Sequence, residues 1–290
     1  MENAAPNSLN SVAVRKNGLE FNVAVNHRID FWRRLENNVW EPGTFKVFDH
    51  FLDRDTTYID IGAWIGPTLL YAAQRSKASY AFEPDPVAFE ELSRNLRSND
   101  EATWRRRIQI YHQAVDHQAG TLRLGNPSGG GNSMTSVLFS GESSSWEVEK
   151  ISLADFFAEH DLRAGKVFVK MDIEGGEYQL LPHLRELFSQ PDLVLYLSVH
   201  PWLLGLLALN LPDKADHLPS KIRRRLLIVA RHLRLLRALP FRHLYHENGR
   251  PISLTKETLR AIVSGNFTTT LVATHTPWEA FGGKETAQCE

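Results

Sequence analysis

From Tyr58 onward, short apolar runs alternate with segments whose apolar residues recur at helical spacing. This alternation is typical of βαβ units and predicts a parallel sheet covered by helices on both faces. Five runs have the length of buried strands, at residues 58–61, 79–82, 108–111, 167–171 and 193–199. The segments between them predict helices at residues 67–75, 86–98, 153–160 and 177–188.

Two later apolar runs, residues 241–246 and 268–274, flank a predicted helix at residues 256–263. They would close the sheet as an antiparallel pair and bring it to seven mostly parallel strands. Before Tyr58, residues 12–25 alternate around Asn17-Gly18 and predict a hairpin, and residues 27–52 predict two helices broken at Pro42-Gly43. We therefore expect an N-terminal cap over residues 1–55 and a sheet domain over residues 56–290.

Two segments depart from the alternation. Residues 126–145 are rich in Gly and Ser, so they have little to pack and predict a mobile loop. Residues 202–240 predict a helical insertion whose later part, from Lys221 to Arg237, carries basic residues and no acid. Its predicted apolar face consists of Ile222, Leu226, Val229, Leu233 and Leu236.

The basic face of this insertion has three interpretations. It is a solvated face of a cap helix, a peripheral contact with an anionic membrane surface, or a site for an anionic substrate. Nucleic acid is disfavoured because no aromatic residues are interleaved with the arginines.

Composition and charge exclude several kinds of partner and of site. Lys and Arg total 33 against 34 Asp and Glu, so the molecule has no bulk charge that would attract polyanions. The single cysteine, Cys289, excludes an intramolecular disulfide and a cysteine-based metal site. The polar N-terminus lacks the apolar core of a signal peptide, which predicts a cytoplasmic protein. The uncharged stretch 193–212 is interrupted by Ser198, His200 and Pro201, and predicts a strand and a helix rather than a membrane span.

The first predicted strand ends in Asp60 and is followed by Gly62, Gly66 and a helix. Gly62 can adopt dihedral angles that other residues avoid, and Gly66 would remove a Cβ that collides with a ligand. The pattern is not G-x-G-x-x-G, whose glycines admit a diphosphate. An acid before the turn suits a cofactor without phosphates whose cationic amino-acid end meets Asp60.

Glu83 follows the second predicted strand, 21 positions after Gly62. An acid at this place in a βαβ unit can accept hydrogen bonds from both hydroxyls of a ribose. The turn and Glu83 together predict a nucleoside-containing cofactor.

An ordered set of motifs resembles the FkbM family of S-adenosylmethionine-dependent methyltransferases over about residues 40–200. The set consists of Ile59-Asp60-Ile61-Gly62-Ala63 with Ile65-Gly66, Ala81-Phe82-Glu83-Pro84 with Leu92 and Asn95, Ile151-Ser152-Leu153-Ala154-Asp155-Phe156, and Lys170-Met171-Asp172-Ile173-Glu174-Gly175-Gly176-Glu177. The resemblance implies the Rossmann-like class I methyltransferase fold. It also implies methyl transfer to a hydroxyl of a sugar, glycan or other metabolite.

The resemblance also implies a cofactor site for S-adenosylmethionine. Its residues are expected to be Asp60, Gly62, Ala63, Gly66, Glu83 and Pro84. From the position of the third strand, the adenine is expected over Gln113, Ala114 and Val115, with Asp116 available to its amine. An ordinary acid at a strand-to-turn boundary is an equal interpretation of Asp116.

Methyl transfer needs an acceptor oxygen in line with the sulfonium carbon and a group that removes the hydroxyl proton. Asp172 closes the fourth predicted strand and is interpreted as a cofactor or acceptor contact, with Glu174 or His200 as the base. Glu177 is interpreted as stabilising the helix dipole without a catalytic role. The trio Asp172, Glu174 and His200 could hold a divalent metal, but the D-x-E spacing is too common to predict one.

Two positions depart from the family pattern and keep alternatives open. Trp64 stands where the family usually has Asn, and Ser198 stands where it often has an acid two positions before the His. The alternatives are a methyltransferase-fold scaffold that has lost catalysis, and a nicotinamide-dependent oxidoreductase. The bulk of Trp64 and the presence of Pro67 argue against the oxidoreductase.

Overall fold

The computed structural model describes residues 10–126, 129–141, 144–200, 220–253 and 270–281. Its strands are β1 (Ser11–Lys16), β2 (Leu19–Ala24), β3 (Thr56–Ile61), β4 (Ala78–Phe82), β5 (Ile108–Tyr111), β6 (Ala114–Asp116), β7 (Gly120–Gly125), β8 (Ser145–Ser152), β9 (Lys166–Met171), β10 (Leu193–Ser198), β11 (His243–Tyr245) and β12 (Thr270–Thr274). Its α-helices are α1 (Ile29–Glu36), α2 (Pro42–Phe51), α3 (Pro67–Ala72), α4 (Pro86–Arg97), α5 (Leu153–Glu159), α6 (Glu177–Leu180) and α7 (Ser220–Ala238).

The central sheet has seven strands in the order β11-β12-β10-β9-β3-β4-β5. The pairs from β10 to β5 are parallel, whereas β12 runs antiparallel to both of its neighbours. The prediction of a seven-stranded, mostly parallel sheet is therefore confirmed. The chain proceeds from β3 toward one edge of the sheet and later returns to β9 on the other side. The carboxyl ends of β3 and β9 consequently form a topological switch point, where open α/β sheets bind ligands.

Helices cover both faces of the sheet, and each face has its own apolar core. One core joins β1, β2 and helices α1 to α4 to the sheet, and the other joins α5, α6 and α7 to the opposite face. On the first face, Phe48 of α2 makes edge-to-face contacts with Tyr58, Phe168 and Tyr196 on three neighbouring strands. Helix α2 is thereby anchored directly on the middle of the sheet.

Two asparagines dock the N-terminal hairpin on α4 and on the segment that follows it. The Asn95 side chain accepts a hydrogen bond from the Ala24 N–H and donates one to the Ile65 carbonyl. The Asn99 side chain bonds both the N–H and the carbonyl of Asn22. No further strand is paired with β2 among the described residues. The side-chain amides of the two asparagines bond the backbone along this open edge instead. A domain boundary at residue 55 stays a prediction.

Three features differ from the sequence expectations. The predicted helix at residues 177–188 is wrong beyond Leu180, where two 3₁₀ turns follow, because Pro182 has no N–H to continue the ladder. A second sheet, in the order β6-β8-β7, was not predicted. The predicted helix at residues 256–263 lies outside the described residues.

Helix α7 belongs to the predicted basic insertion, and residues 201–219 before it lie outside the described residues. Leu235 and Leu236 are buried against the sheet, whereas Leu226 is 55% exposed, so the predicted apolar face is wrong at that position. The structure does not describe the side chains of residues 220–225, which include four of the basic residues of the insertion. In the part of the chain that is described, no helix is long and apolar enough to cross a membrane.

We expect Phe48→Ala to destabilise the fold strongly. Phe48 is fully buried, and truncation would leave a cavity over the sheet that lowers the free energy of unfolding by about 3–5 kcal/mol. Urea unfolding followed by circular dichroism measures the change. The control is Val39→Ala at a side chain that is 62% exposed, which should change stability by less than about 0.5 kcal/mol. Equal effects of the two substitutions would contradict the anchoring role of Phe48.

Candidate active site

A cavity of about 520 Å³ opens at the carboxyl ends of β3, β4 and β9. Its volume lies in the range of sites for small molecules. All the site residues predicted from the sequence line this cavity except Asp60 and Gly66. The structure thus brings together residues from six separate parts of the chain: Gly62 and Ala63, Glu83 and Pro84, Gln113, Ala114 and Asp116, Asp172 and Glu174, and His200, with Trp40 and Glu41 from the N-terminal region.

The turn after β3 forms the floor of the cavity. Gly62 has φ +85°, and a Cβ at this position would lie 1.9 Å from the carbonyl oxygen of Asp172. Gly66 has φ +91°, and its Cβ would lie 2.6 Å from the Leu92 side chain of α4. The absence of a Cβ at Gly66 is thus required by α4, and the expectation that Gly66 makes room for a ligand stays a prediction. Both glycines allow the turn to pack closely against its neighbours, Gly62 against the Asp172 carbonyl and Gly66 against α4.

Asp60 lies beneath the turn and is fully buried. One carboxylate oxygen is 3.2 Å from the Lys170 ammonium, and the other accepts hydrogen bonds from the hydroxyls of Tyr58 and Thr68. Because these partners occupy its oxygens and it does not line the cavity, the expectation that Asp60 meets a cationic ligand is not supported by the geometry. Its role is to neutralise Lys170 inside the sheet.

Glu83 stands at the end of β4 in the cavity wall. Its two oxygens accept hydrogen bonds from the backbone N–H groups of Trp64 (2.6 Å) and Asp85 (2.8 Å). Burial raises the pKa of Glu83 to about 8, although both of these donors favour the ionised form. In the ionised form each oxygen keeps a further lone pair, so the carboxylate can accept hydrogen bonds from a ligand.

The Gly/Ser-rich segment closes one side of the cavity. Asp85 accepts hydrogen bonds from the Gly131 N–H (2.8 Å) and the Thr135 hydroxyl (2.7 Å), and the Ser136 hydroxyl donates to the Glu174 carbonyl. The prediction that this segment has little to pack against is wrong for its described part. Hydrogen bonds hold it together with the packing of Val137 on the cluster that contains Leu124, and composition does not reveal either.

Trp64 connects the turn to the same segment. Its indole N–H donates to the Gly131 carbonyl at 3.0 Å, and its ring packs edge-to-face on Phe31 and under the Arg28 guanidinium. The Arg28 guanidinium also donates to the Gly131 carbonyl. The residue that departs from the family pattern thus has a defined structural role in the cavity wall.

The predicted adenine region contains a carboxylate that is already occupied. Asp116 is paired with the Lys150 ammonium and accepts hydrogen bonds from the backbone and ring nitrogens of His117. Burial alone would raise the pKa of Asp116, but these donors lower it. Asp116 therefore fits the interpretation of a strand-to-turn acid. Gln113 also lines the cavity, and its amide donates to Glu149 at 3.2 Å.

Asp172, Glu174 and His200 form a cluster in the cavity wall beyond the ends of β9 and β10, on the other side of β3 from Glu83. The Nε2 atom of His200 lies 3.6 Å from Asp172 Oδ1 and 3.4 Å from Glu174 Oε2. On the other side of the ring, Nδ1 lies 3.2 Å from Glu177 Oε1, which also accepts the Ile173 N–H at 3.0 Å. Glu177 thus orients the imidazole, a role that the helix-dipole interpretation missed.

Glu174 and His200, the two candidates for the base, differ in their protonation at neutral pH. Burial raises the pKa of Glu174 to about 7, and the charges of Asp172 and Glu177 add to that effect. Burial would lower the pKa of His200, but its hydrogen bond to Glu177 and the surrounding carboxylates raise it to about 9. At neutral pH the imidazole is therefore charged, and Glu174 is the better placed of the two to accept a proton.

Two residues near this cluster were missed by the sequence analysis. Glu41, in the αL conformation just before α2, lines the cavity and has its pKa raised to about 7 by burial and by the charge of Asp172. Lys170 lies 3.8 Å from Asp172 Oδ2. Of the two, only Lys170 could have been found from the sequence, because a lysine near the end of a buried apolar strand needs a charged partner.

The comparison with protein families identifies the class to which this fold and cavity belong. The family described as Methyltransferase FkbM domain matches residues 60–224, which is more than half of the chain. The chain belongs to this family of methyltransferases, and the resemblance noted in the sequence is confirmed.

Solved structures similar to this chain include methyltransferase FkbM from Methylobacillus flagellatus KT and Trm5b from Pyrococcus abyssi. The first is 16% identical with a TM-score of 0.42, over 86% of this chain and 62% of that one. The second is 13% identical with a TM-score of 0.31, over 67% of this chain and 41% of that one. The chain spans less than two thirds of either protein. No curated protein matches it significantly.

The buried Glu83 should make stability depend on pH. Its pKa in the folded chain is above the ordinary value of 4.5, so its contribution to stability is complete below pH 4.5 and is lost as the pH rises to about 8. Relative to Glu83→Gln, the wild-type chain should lose about 3 kcal/mol of unfolding free energy between pH 5 and pH 8.

Urea unfolding at pH 5, 6, 7 and 8 measures this difference, and the contributions of Glu41 and Glu174 cancel between the two proteins. The matched control is Glu90→Gln, whose side chain is 54% exposed. A Glu83→Gln variant with the same pH dependence as the wild type would contradict the raised pKa.

Proposed function

We propose that the chain is an S-adenosylmethionine-dependent O-methyltransferase of the class I fold. Its acceptor is a hydroxyl on a sugar, glycan or small metabolite. Membership of the FkbM family supports methyl transfer in general. The observation that carries the proposal further is the Glu83 carboxyl in the wall of the cavity, which binds the glycine turn and shares this cavity with the Asp172 cluster.

The strand order supports the class I assignment. The chain runs from β3 outward to β5, returns through β9 and β10, and ends with β12 inserted antiparallel between β10 and β11. This topology leaves the carboxyl ends of β3 and β4 facing one cavity. The nucleoside of the cofactor would bind there, with its ribose hydroxyls donating to Glu83.

The turn is better suited to a sulfonium cofactor than to a dinucleotide. A diphosphate needs free backbone N–H groups at the helix start. Four N–H groups of the turn donate inside the protein: Gly62 and Ala63 to the Phe82 carbonyl, Trp64 to Glu83, and Gly66 to the Ala63 carbonyl. Few N–H groups of the turn therefore remain for a phosphate. This argues against the oxidoreductase alternative.

The cationic amino-acid end of the cofactor needs a carboxylate, and the buried Asp60 does not line the cavity. Glu41 and Asp172 do, and burial and the charge of Asp172 raise the pKa of Glu41. We assign the contact with the cationic end of the cofactor to Glu41. A bound ammonium beside Glu41 would lower the pKa of that carboxyl toward its ordinary range.

The acceptor would bind between the cofactor and the Asp172 cluster. Methyl transfer breaks the bond from sulfur to the methyl carbon and forms a bond from that carbon to the acceptor oxygen, which loses its proton. Glu174, with its pKa of about 7, accepts that proton. The products are a methyl ether, S-adenosylhomocysteine and the protonated carboxyl.

Calorimetry tests the cofactor assignment. The wild-type chain should bind S-adenosylmethionine and not NAD, and Glu83→Ala should weaken the binding by more than about tenfold because an acceptor of two hydroxyl hydrogen bonds is lost. Glu90→Ala on the exposed side of α4 is the control and should bind as the wild type does. Binding of NAD alone would refute the proposal, and unchanged affinity in Glu83→Ala would remove Glu83 from the site.

Transfer of a labelled methyl group tests the reaction. We expect label from S-adenosylmethionine to enter a hydroxyl-bearing member of a panel of sugars, glycans and metabolites, with mass spectrometry as the readout. Glu174→Gln should lower kcat by at least about 100-fold, the usual contribution of a general base. Its affinity for the cofactor should stay near that of the wild type. Full activity of Glu174→Gln would exclude it as the base, and cofactor binding without transfer to any acceptor would favour the scaffold alternative.

A further inference from the structure

Three ligand-type atoms converge at the cavity wall, namely Asp172 Oδ1, Glu174 Oε2 and His200 Nε2. All three lie within 4.8 Å of one another. The separations of the nitrogen from the two oxygens, 3.6 and 3.4 Å, are longer than normal hydrogen bonds of 2.7–3.2 Å. A divalent cation about 2.1 Å from each ligand would set neighbouring ligand atoms about 3.0–3.4 Å apart. The observed separations are close to that spacing.

The two carboxylate oxygens of this group are buried and accept no hydrogen bond from any described residue. Their contacts with the charged imidazole of His200 are longer than hydrogen bonds, and buried carboxylate oxygens without a hydrogen-bond donor are rare in native proteins. The remaining oxygen of Asp172 faces Lys170 at 3.8 Å, so the unpartnered oxygen is the one that points toward His200. A cation between the three side chains would satisfy both oxygens at once.

The histidine is held in the orientation that a metal ligand requires. Glu177 is fully buried, and its Oε1 lies 3.2 Å from His200 Nδ1. A cation that binds here displaces the proton from Nε2, and a carboxylate that accepts the Nδ1–H then leaves the lone pair of Nε2 directed at the ion, which is the usual outer contact of metal-binding histidines. The Ile173 N–H donates to the same oxygen at 3.0 Å and fixes the Glu177 side chain.

We propose that Asp172, Glu174 and His200 form a binding site for a divalent cation of the Mn²⁺ type. One imidazole and two carboxylates are borderline-to-hard ligands, which suit Mn²⁺, Fe²⁺ or Zn²⁺ better than a soft ion. Three protein ligands leave positions on the cation for an oxygen from the cavity. This inference rests on the proposed function for its role: the cation would bind the acceptor hydroxyl and lower its pKa so that the proton passes to water, and in the cation-bound chain Glu174 would act as a ligand in place of the base.

The test uses the full chain, stripped of metal with a chelator and titrated with MnCl₂. The electron paramagnetic resonance signal of free Mn²⁺ measures binding, and calorimetry measures stoichiometry. We expect one Mn²⁺ per chain. His200→Ala and Asp172→Asn should each weaken the affinity by at least tenfold, and Glu177→Gln should weaken it by about 10–100-fold because the imidazole loses its orienting partner.

The controls are Asp30→Asn, at a side chain that is 85% exposed, and His243→Ala on β11. Both should bind Mn²⁺ as the wild type does. Thermal unfolding shows whether each variant is folded, and Mn²⁺ should raise the Tm of the wild type but not that of the folded His200→Ala variant. Absence of stoichiometric binding to the wild type would overturn the proposal, as would unchanged affinity in both folded ligand variants.

Failure of this inference is distinguishable from failure of the proposed function. A metal-free chain that binds S-adenosylmethionine and ignores Mn²⁺ would refute the cation site alone. A chain that binds Mn²⁺ through these residues but does not bind S-adenosylmethionine would support the site and refute the cofactor assignment.

Discussion

The ion pair between Asp60 and Lys170 joins the two central strands of the sheet at the edge where the cavity opens. The two residues are opposite each other in the register of β3 and β9, with the ammonium 3.2 Å from the carboxylate. Both are buried, so removing either would leave an uncompensated charge inside the sheet, which is among the most destabilising changes a fold can suffer. Lys170 also lies 3.4 Å from the Gly62 carbonyl and 3.8 Å from Asp172. One ammonium group thus holds the glycine turn and the acidic segment at fixed positions relative to each other.

The remaining walls of the cavity come from segments that have no strand in the central sheet. Arg28 from the N-terminal region pairs with Glu91 on α4 and also donates to the Gly131 carbonyl. Asp85 caps α4 through the N–H groups of its first turn and binds Gly131 as well. The Gly/Ser-rich segment is therefore held between two charged groups that are themselves fixed by α4. These polar contacts act together with the packing of Trp64 on Phe31 and of Val137 on the cluster that contains Leu124.

Much of the fold could be predicted because the apolar runs have the length and spacing of buried parallel strands. All seven were found, and the strand ends that carry Glu83 and Asp172 could be predicted to lie at one edge. The second sheet could not, since β6 has only three residues and β7 alternates weakly. Glu177 was misinterpreted for a related reason. A first-turn carboxylate has a sufficient local explanation, and its contact with His200 appears only when β10 is placed beside β9.

The sequence by itself determined where the strands of the central sheet lie, which of their ends carry ionisable residues, and to which family the chain belongs. Only the tertiary structure decided which of these residues face the cavity. Asp60 and Asp172 both stand at strand ends, yet Asp60 is neutralised beneath the turn, whereas Asp172 lines the cavity. The partner of Asp60 is 110 positions away, and their contact follows from the placement of β9 next to β3. Local periodicity gives the face and the length of a strand but not its neighbours in the sheet. No pattern along the chain could therefore show that Asp60 lies beneath the turn whereas Asp172 lines the cavity.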